Sequence, residues 1–537
     1  MKKRIISLAL VFVMLCGILA GCGTKTGGSS AGNKLTVGIN QNANVTDFDN
    51  NAFTKWLEET VGVDIEFVFF SSSEKEALQQ LALTVSANKE LPDVILGFHK
   101  MGHYVVNQYG EDGYFIDLTD LIDKYGKNYK AALKGLSDEE REYLEKKAVN
   151  TNTDGIYAMP IALCPAIDDM PNLMYINQDW LTKLGLQAPT NIEELRNVLY
   201  AFKTQDPNGN GKADEIPMLG GCLGKGNDVL GYMLNAFVHF SDNNSFNVTK
   251  GKVWDPVVTD EFRQGLIYIN GLVKEGLVSD LCFTLAAGSE FSAMNSPTDG
   301  VEKVGIFCGY PDSYMNAESD SASSYVALGS LADATGKGGY TVVNPSPVYW
   351  SNFITKDCEN PELAMKLLDT LYTDESIMRA RHGEKDVDWT YGEGPSAYGT
   401  KAYVNIVNGN AYFSGNSTWS KNPAGIMKQE NYIAVEVKGE GTRAEFARMQ
   451  KESYQIMANA KQPEELATKL LYSQDEYEIK EQYDATVNGY YREQVNLFCA
   501  GQLDPNDDAT WKEFTTKLYE IGRDKLMKVA QNAYDRK

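Results

Sequence analysis

The sequence predicts an α/β protein built on more than one hydrophobic core. Segments that alternate apolar and polar residues are interleaved with segments of helical spacing, the order produced by a parallel sheet with helices on its faces. The chain has 537 residues, 43% of them hydrophobic, and single cores stop growing well below that length. Its formal net charge of −23, from 50 Lys+Arg against 73 Asp+Glu, repels phosphate and excludes a nucleic-acid binder. The apolar content excludes a disordered tail or a small disulfide scaffold.

Lys2, Lys3 and Arg4 precede the apolar run Ile5 to Ile18, and Leu19-Ala20-Gly21-Cys22 follows. This is the pattern of an export signal, with residues 1–21 removed and not counted as structure; the alternative is an uncleaved anchor. Leu-Ala-Gly-Cys resembles the bacterial lipobox, which implies a lipid on Cys22 and a chain tethered to the outer face of the cell membrane. Residues 22–33 are then a polar, Gly/Ser-rich linker. Within it, Gly28-Ser29-Ser30-Ala31-Gly32 matches G-x-S-x-G in letters only, because no strand-turn-helix surrounds it.

The first strand is Leu35 to Ile39. A helix spans Asn51 to Thr60 and ends near Gly62; a second strand with strict alternation runs Val63 to Val68. Glu74 to Ala87 is helical, with Ala77, Leu78, Leu81 and Val85 on one side, and Leu91 to Leu96 is a buried third strand. Gly155 to Ala162 and Leu173 to Leu181 include extended segments of the kind that cross between lobes. Asp504 to Val529 reads as an amphipathic C-terminal helix. In open parallel sheets ligands collect at the carboxyl ends of the strands, here Asn40 to Asn44 and Gly97-Phe98-His99.

Pro92-Asp93-Val94-Ile95-Leu96, Tyr157-Ala158-Met159-Pro160-Ile161-Ala162 and Met174-Tyr175-Ile176-Asn177-Gln178-Asp179-Trp180-Leu181, then Val304 to Phe307, Trp350 to Ile354, Asn360-Pro361-Glu362-Leu363 and His382-Gly383-Glu384, occur in one fixed order. Together they resemble the extracellular solute-binding protein family 1 of ABC importers, the family of the maltodextrin-binding proteins, and in particular its Gram-positive lipoprotein branch of oligosaccharide binders. The resemblance implies a two-lobe, type II periplasmic-binding-protein-like fold, each lobe a sheet flanked by helices, with the ligand cleft between them. Lobe one is expected at 34–162 plus 348–408, lobe two at 163–347 plus 409–537. The implied function is non-catalytic: a monomer that closes on an oligosaccharide or sugar conjugate and delivers it to permease subunits. Two alternatives stay open. One is an exported glycoside hydrolase, which needs two carboxylates across the cleft; the other is a peptide-binding or sensory lipoprotein of the same fold.

Sugar recognition needs aromatic faces for the C–H side of a ring and buried amides, carboxylates and indole donors for its hydroxyls. By position the candidates are Asn40, Phe98, His99, Asp168, Asp169, Tyr310, Trp350, Trp389 and Tyr391. The resemblance implies a stacking aromatic at Tyr310 and another in the loop Gly97 to Met101. No Lys/Arg cluster occupies these loops, which favours neutral sugars.

Asp206-Pro207-Asn208-Gly209-Asn210-Gly211-Lys212-Ala213-Asp214-Glu215 places oxygen donors at alternating positions with Gly at the turns, the arrangement a Ca²⁺ ion needs. Pro217 stands where an EF-hand has its bidentate Glu. The expected donors are Asp206, Asn208, Asn210, the carbonyl of Lys212, Asp214 and Glu215, with a structural role for the ion; the alternative is a solvated turn. His99 and His103 are spaced i, i+4 without the Glu of a zinc motif, which favours a non-metal role. Cys164, Cys222, Cys282, Cys308, Cys358 and Cys499 form an even set that permits bridges, but their wide scatter reads more like buried thiols than a stapling framework. No P-loop or dinucleotide fingerprint is present.

Overall fold

The computed structural model describes residues 33–163, 173–223, 228–242, 246–284, 301–309, 320–341, 348–396, 400–408, 416–419, 425–427, 436, 445, 448–449, 451–453, 455–456, 459 and 461–537. The expected sites Cys22, Asp168, Asp169 and Tyr310 lie outside these residues.

Strand β1 (Lys34–Asn40) leads through a loop to the helix Ala52–Val61, β2 (Asp64–Phe70), the helix Glu74–Ser86 and β3 (Val94–Ile95). Asn51 caps the first of these helices by accepting from the Phe53 N–H, and Gly62 ends it at φ 75°, a conformation glycine adopts without a Cβ penalty. The third strand is shorter than the expected Leu91 to Leu96, because Pro92 has no N–H for a ladder. The chain continues through β4 (Met159–Leu163), β5 (Met174–Asn177), β6 (Ile216–Leu219), a ribbon of β7 (Asn247–Thr249) and β8 (Lys252–Trp254), β9 (Val304–Cys308) and β10 (Tyr325–Leu328). It returns in β11 (Val348–Ile354), forms a second ribbon of β12 (Trp389–Tyr391) and β13 (Val404–Ile406), and adds β14 (Ile426–Met427).

Two sheets organise two units. The six-stranded sheet has the order β14-β4-β11-β3-β1-β2, the four-stranded sheet β10-β5-β9-β6. In the first, β1, β2 and β3 are parallel and β11 runs antiparallel between β3 and β4. Leu35, Val37 and Ile39 of β1 face one core with Phe53 and Leu57; Phe70, Ile95 and Trp350 face another on the opposite side. Each such side chain contributes about 1.5–3 kcal/mol by leaving water. Ile426–Met427 pairs with β4 and Trp419 joins the same core, so the first unit extends past the expected boundary at residue 408.

The core of the second unit includes Tyr175, Phe202, Leu230 and Phe307. It also receives Val487, Tyr491, Val495 and Phe498 from the long helix Gln474–Cys499. The expected C-terminal helix is two helices, Asp508–Glu520 and Arg523–Asp535, broken at Gly522 where φ is 110°. Among the described residues, no helix is long and apolar enough to cross a membrane.

Candidate functional site

The carboxyl ends of β1 and β3 and the middle of β11 form one edge of the six-stranded sheet. Gly97, at φ 76°, turns the chain after β3, and its N–H donates to the Ser351 carbonyl (3.1 Å) and to Asn352 Oδ1 (3.4 Å). β11 carries a register irregularity between Trp350 and Asn352, and such bulges re-aim side chains.

Three polar side chains at this edge are buried yet unsatisfied among the described residues. Among the described residues, both amide atoms of Asn40 (2% exposed), the indole Nε1 of Trp350 (3%) and the hydroxyl of Ser351 find no hydrogen-bond partner. Each such group costs about 1–3 kcal/mol when left unmade, and native proteins keep few without a reason. The His99 ring stacks on Tyr349 with centroids 5.0 Å apart and planes at 24°. His103, at the start of the next helix, sets its ring 5.0 Å from Trp350 and 5.9 Å from Tyr477 of the long helix Gln474–Cys499. Its Nδ1 also has no partner among the described residues, and burial, with the Lys147 charge as a lesser cause, holds its pKa down at about 3. Donors, acceptors and rings without net charge suit a polyhydroxylated neutral ligand.

The structure thus brings Asn40, His99 and Trp350 to one sheet edge and adds Tyr349, Ser351 and His103. Simple alternation along β11 would set Tyr349 and Ser351 on the face opposite Trp350; the register irregularity between Trp350 and Asn352, which the sequence does not announce, is why the strand pattern does not name them. Phe98 does not belong to this set. The turn at Gly97 sends it into the core, fully buried against Phe70 in an edge-on contact at 5.1 Å. Trp389 is likewise a core residue, its indole N–H donating to the Gly383 carbonyl at 2.9 Å. Tyr391 lies on the β12–β13 ribbon, half exposed, beside the Trp389 ring and under the Lys385 ammonium at 5.0 Å.

The loop Asp206 to Glu215 folds into a chain of Asx turns. Asp206 Oδ2 accepts from Gly211 N (3.1 Å), Asn208 Oδ1 from Asn210 N (3.0 Å) and Asn210 Oδ1 from Lys212 N (2.8 Å). Asp214 Oδ1 accepts from the amides of Asn208 and Asn210, and its other oxygen lies 3.5 Å from Lys303. Asp206 Oδ1 and Glu215 Oε1 are buried without partners among the described residues. Burial, followed by the charges of Asp206 and Asp214, raises the Glu215 pKa. Orphaned carboxylate oxygens beside like charges are a donor set that a hard cation would complete. Among the described residues, however, no group of three or more His, Cys, Asp or Glu stands in metal-binding geometry.

Residues 42–378 match the family model described as bacterial extracellular solute-binding protein. The chain is 30% identical over 389 residues to the fructooligosaccharide ABC transporter substrate-binding protein FusA of Streptococcus pneumoniae, covering 68% of each chain. It is 28% identical over 283 residues to the lipoprotein LipO of Bacillus subtilis, covering 52% of this chain and 51% of that one. Among solved structures, an extracellular solute-binding protein from Bifidobacterium longum subsp. infantis superposes with a TM-score of 0.75 at 23% identity, over 94% of this chain and 98% of that one. S. pneumoniae FusA in complex with kestose superposes with a TM-score of 0.74 at 21% identity, over 94% and 99%. An EF-hand mutant of FusA, in complex with fructo-nystose, gives the same TM-score and coverage. At these identities the superpositions establish the fold.

Proposed function

The chain belongs to the bacterial extracellular solute-binding protein family, and from that premise we propose that it captures a neutral oligosaccharide outside the cell and delivers it to an ABC permease. The observation that carries the sugar reading is the set of buried, unpartnered, uncharged groups of Asn40, Trp350 and Ser351 beside the stacked pair His99 and Tyr349. The hydroxyls of a saccharide would satisfy the amide and the indole N–H, while the rings take its C–H face. The ligand would bias the two units towards closure in proportion to its contacts with the closed form. The chain itself performs no chemistry on the ligand in this reading.

A Ca²⁺ ion at the loop Asp206 to Glu215 would neutralise Asp206, Asp214 and Glu215 and take up the oxygens left without partners among the described residues; its role would be to fix the loop. A lipid on Cys22 would hold the protein on the outer face of the membrane, with residues 23–33 as the tether. Support comes from the sequence pattern around Cys22 and from the relative named a lipoprotein.

A thermal-shift screen against neutral and acidic oligosaccharides and short peptides, with chromatography of any hit, tests the reading. A neutral saccharide that raises the melting temperature and is recovered intact supports it. Recovery as fragments would replace it with a hydrolase, and a response to peptides alone would discard the sugar.

A further inference from the structure

The long helix Gln474–Cys499 belongs to the second unit by its core side chains Val487, Tyr491, Val495 and Phe498, yet its first turns lie on the first unit. Glu478 accepts from the Tyr104 hydroxyl at 3.3 Å, and a Cβ on Gly102 would come within 3.3 Å of the Glu481 carboxylate. Gly102 immediately precedes the helix His103–Glu111, whose Val106 sits in a core of the first unit. The Glu481 carboxylate thus stands at the positive end of a helix from the other unit, the placement a helix dipole favours. A few residues ahead of the long helix, Lys469 pairs at 3.2 Å with Glu139, on the first-unit helix Asp138–Ala148. Tyr477 sets its ring 5.9 Å from that of His103.

The segment is braced from its own side. Ser473 and Glu476 form a capping box, and Arg536, which follows the last helix, donates to Glu476 Oε1 at 3.0 Å and to the Leu471 carbonyl at 2.9 Å. The Tyr472 ring packs edge-on against Tyr477 at 5.6 Å. Further back, Glu465 accepts from the Gly251 N–H at 2.8 Å. Lys469 itself holds φ 53°, a left-handed conformation that a residue with a side chain keeps only where its surroundings impose it.

Two units joined only by chain crossings are free to swing about them. This segment adds a non-covalent bridge, braced on one side and seated by a few separable contacts on the other. We propose that Lys469 to Glu481 is a latch of the second unit, seated on the helices His103–Glu111 and Asp138–Ala148 of the first, which holds the two units together until it is released. An exposed ion pair and a single ring contact each contribute little, so the latch biases the arrangement of the units without fixing it. His103 lies against both Tyr477 and Trp350, so a ligand that engages Trp350 acts on the ring that seats the latch. That last link rests on the saccharide reading above; the latch itself does not.

The test is small-angle scattering of the ligand-free full chain, with hydrogen exchange over residues 103–111 as the local readout. Glu139→Lys and Lys469→Glu each set like charges against one another across the units. Each is expected to raise the radius of gyration and to speed exchange in the first turn of the helix His103–Glu111, less so at 1 M salt, where charges are screened beyond about 3 Å. The double reversal restores the attraction and should return both readouts to wild-type values. Tyr477→Ala should shift them in the same direction as the single reversals. Wild-type dimensions in the single reversals and in Tyr477→Ala overturn the latch, and so does a double reversal that fails to restore them, by placing the role of Lys469 within its own unit. A lower melting temperature for Tyr477→Ala at unchanged dimensions also overturns it, by making Tyr477 a packing residue. Wild-type protein that binds no saccharide removes the link to Trp350, while the scattering still decides the latch.

Discussion

The Trp350 indole and the His103 imidazole lie with ring centroids 5.0 Å apart and planes at 47°, and each has a buried nitrogen that no described residue bonds. Because burial keeps the imidazole pKa at about 3, His103 is neutral from pH 5 to 8 and offers the site a dipole without a charge. Ligand affinity should therefore show no titration step near pH 6.5 from this residue. A step in the wild type that vanishes in His103→Gln would contradict the placement.

Asn40→Ala is expected to weaken ligand binding about tenfold or more, because a buried amide that bonds ligand hydroxyls is worth roughly 1–2 kcal/mol. The unliganded variant should be as stable as the wild type or more so, since the orphaned amide is gone. Titration and urea denaturation of the same sample separate the two effects; a variant that is both unstable and fully binding-competent would make Asn40 a structural residue.

Asp228, fully enclosed, caps the helix Val229–Leu234 by accepting from Gly231 N at 2.9 Å. Burial raises its pKa from 3.8 to about 7. The folded state thus keeps a proton that the unfolded chain releases, so this group's contribution to stability is complete below about pH 4 and is lost as pH rises through 7. Asn caps as well as Asp, and Asp228→Asn should gain roughly 2–3 kcal/mol on the wild type between pH 5 and pH 8. Parallel denaturation curves at the two pH values with no relative gain would show that the carboxyl is already ionised.

Much of this fold is legible in the sequence, and the failures share a cause. β1, β2 and the helix between them are set by local alternation and caps, so the strand Leu35 to Ile39 and the helix after Asn51 appear where the residues put them. Phe98 and Trp389 sit in the core; aromatic identity and chain position do not determine which way a side chain points. Gly97 decides the first, and the Gly383 carbonyl that satisfies the indole decides the second. The long helix Gln474–Cys499 is hard to read in the sequence because its buried stripe, Val487, Tyr491, Val495 and Phe498, is confined to its second half, with Gly489 inside that stretch. The capping box Ser473 and Glu476 was the available signal for its start.

Added Ca²⁺ should raise the melting temperature, by the equivalent of about 2.7 kcal/mol at a hundredfold excess over Kd. Asp206→Asn with Glu215→Gln should abolish that rise, and without Ca²⁺ the double variant should melt higher than the wild type because like charges have been removed. A wild type indifferent to Ca²⁺ and to chelator would leave the loop as a solvated turn.

Arg523 begins the last helix with a fully buried guanidinium that bonds both oxygens of buried Asp255 at 2.8 and 2.7 Å and lies 4.4 Å from the Phe246 ring centre. Asp255 in turn caps the turn Pro256–Val258 through the Val257 N–H at 3.1 Å, so one ion pair ties the chain's last helix to the middle of the second unit. Removing one partner leaves a buried charge uncompensated, and Arg523→Met should destabilise by about 3–5 kcal/mol. Replacing both partners removes that charge, so Arg523→Met with Asp255→Asn should recover a large part of the loss even though no ion pair remains. Urea denaturation of the two single variants and the double variant measures this directly. If the double variant is as unstable as the sum of the singles, the pair contributes through packing alone and the isolated charge is not the source of the penalty.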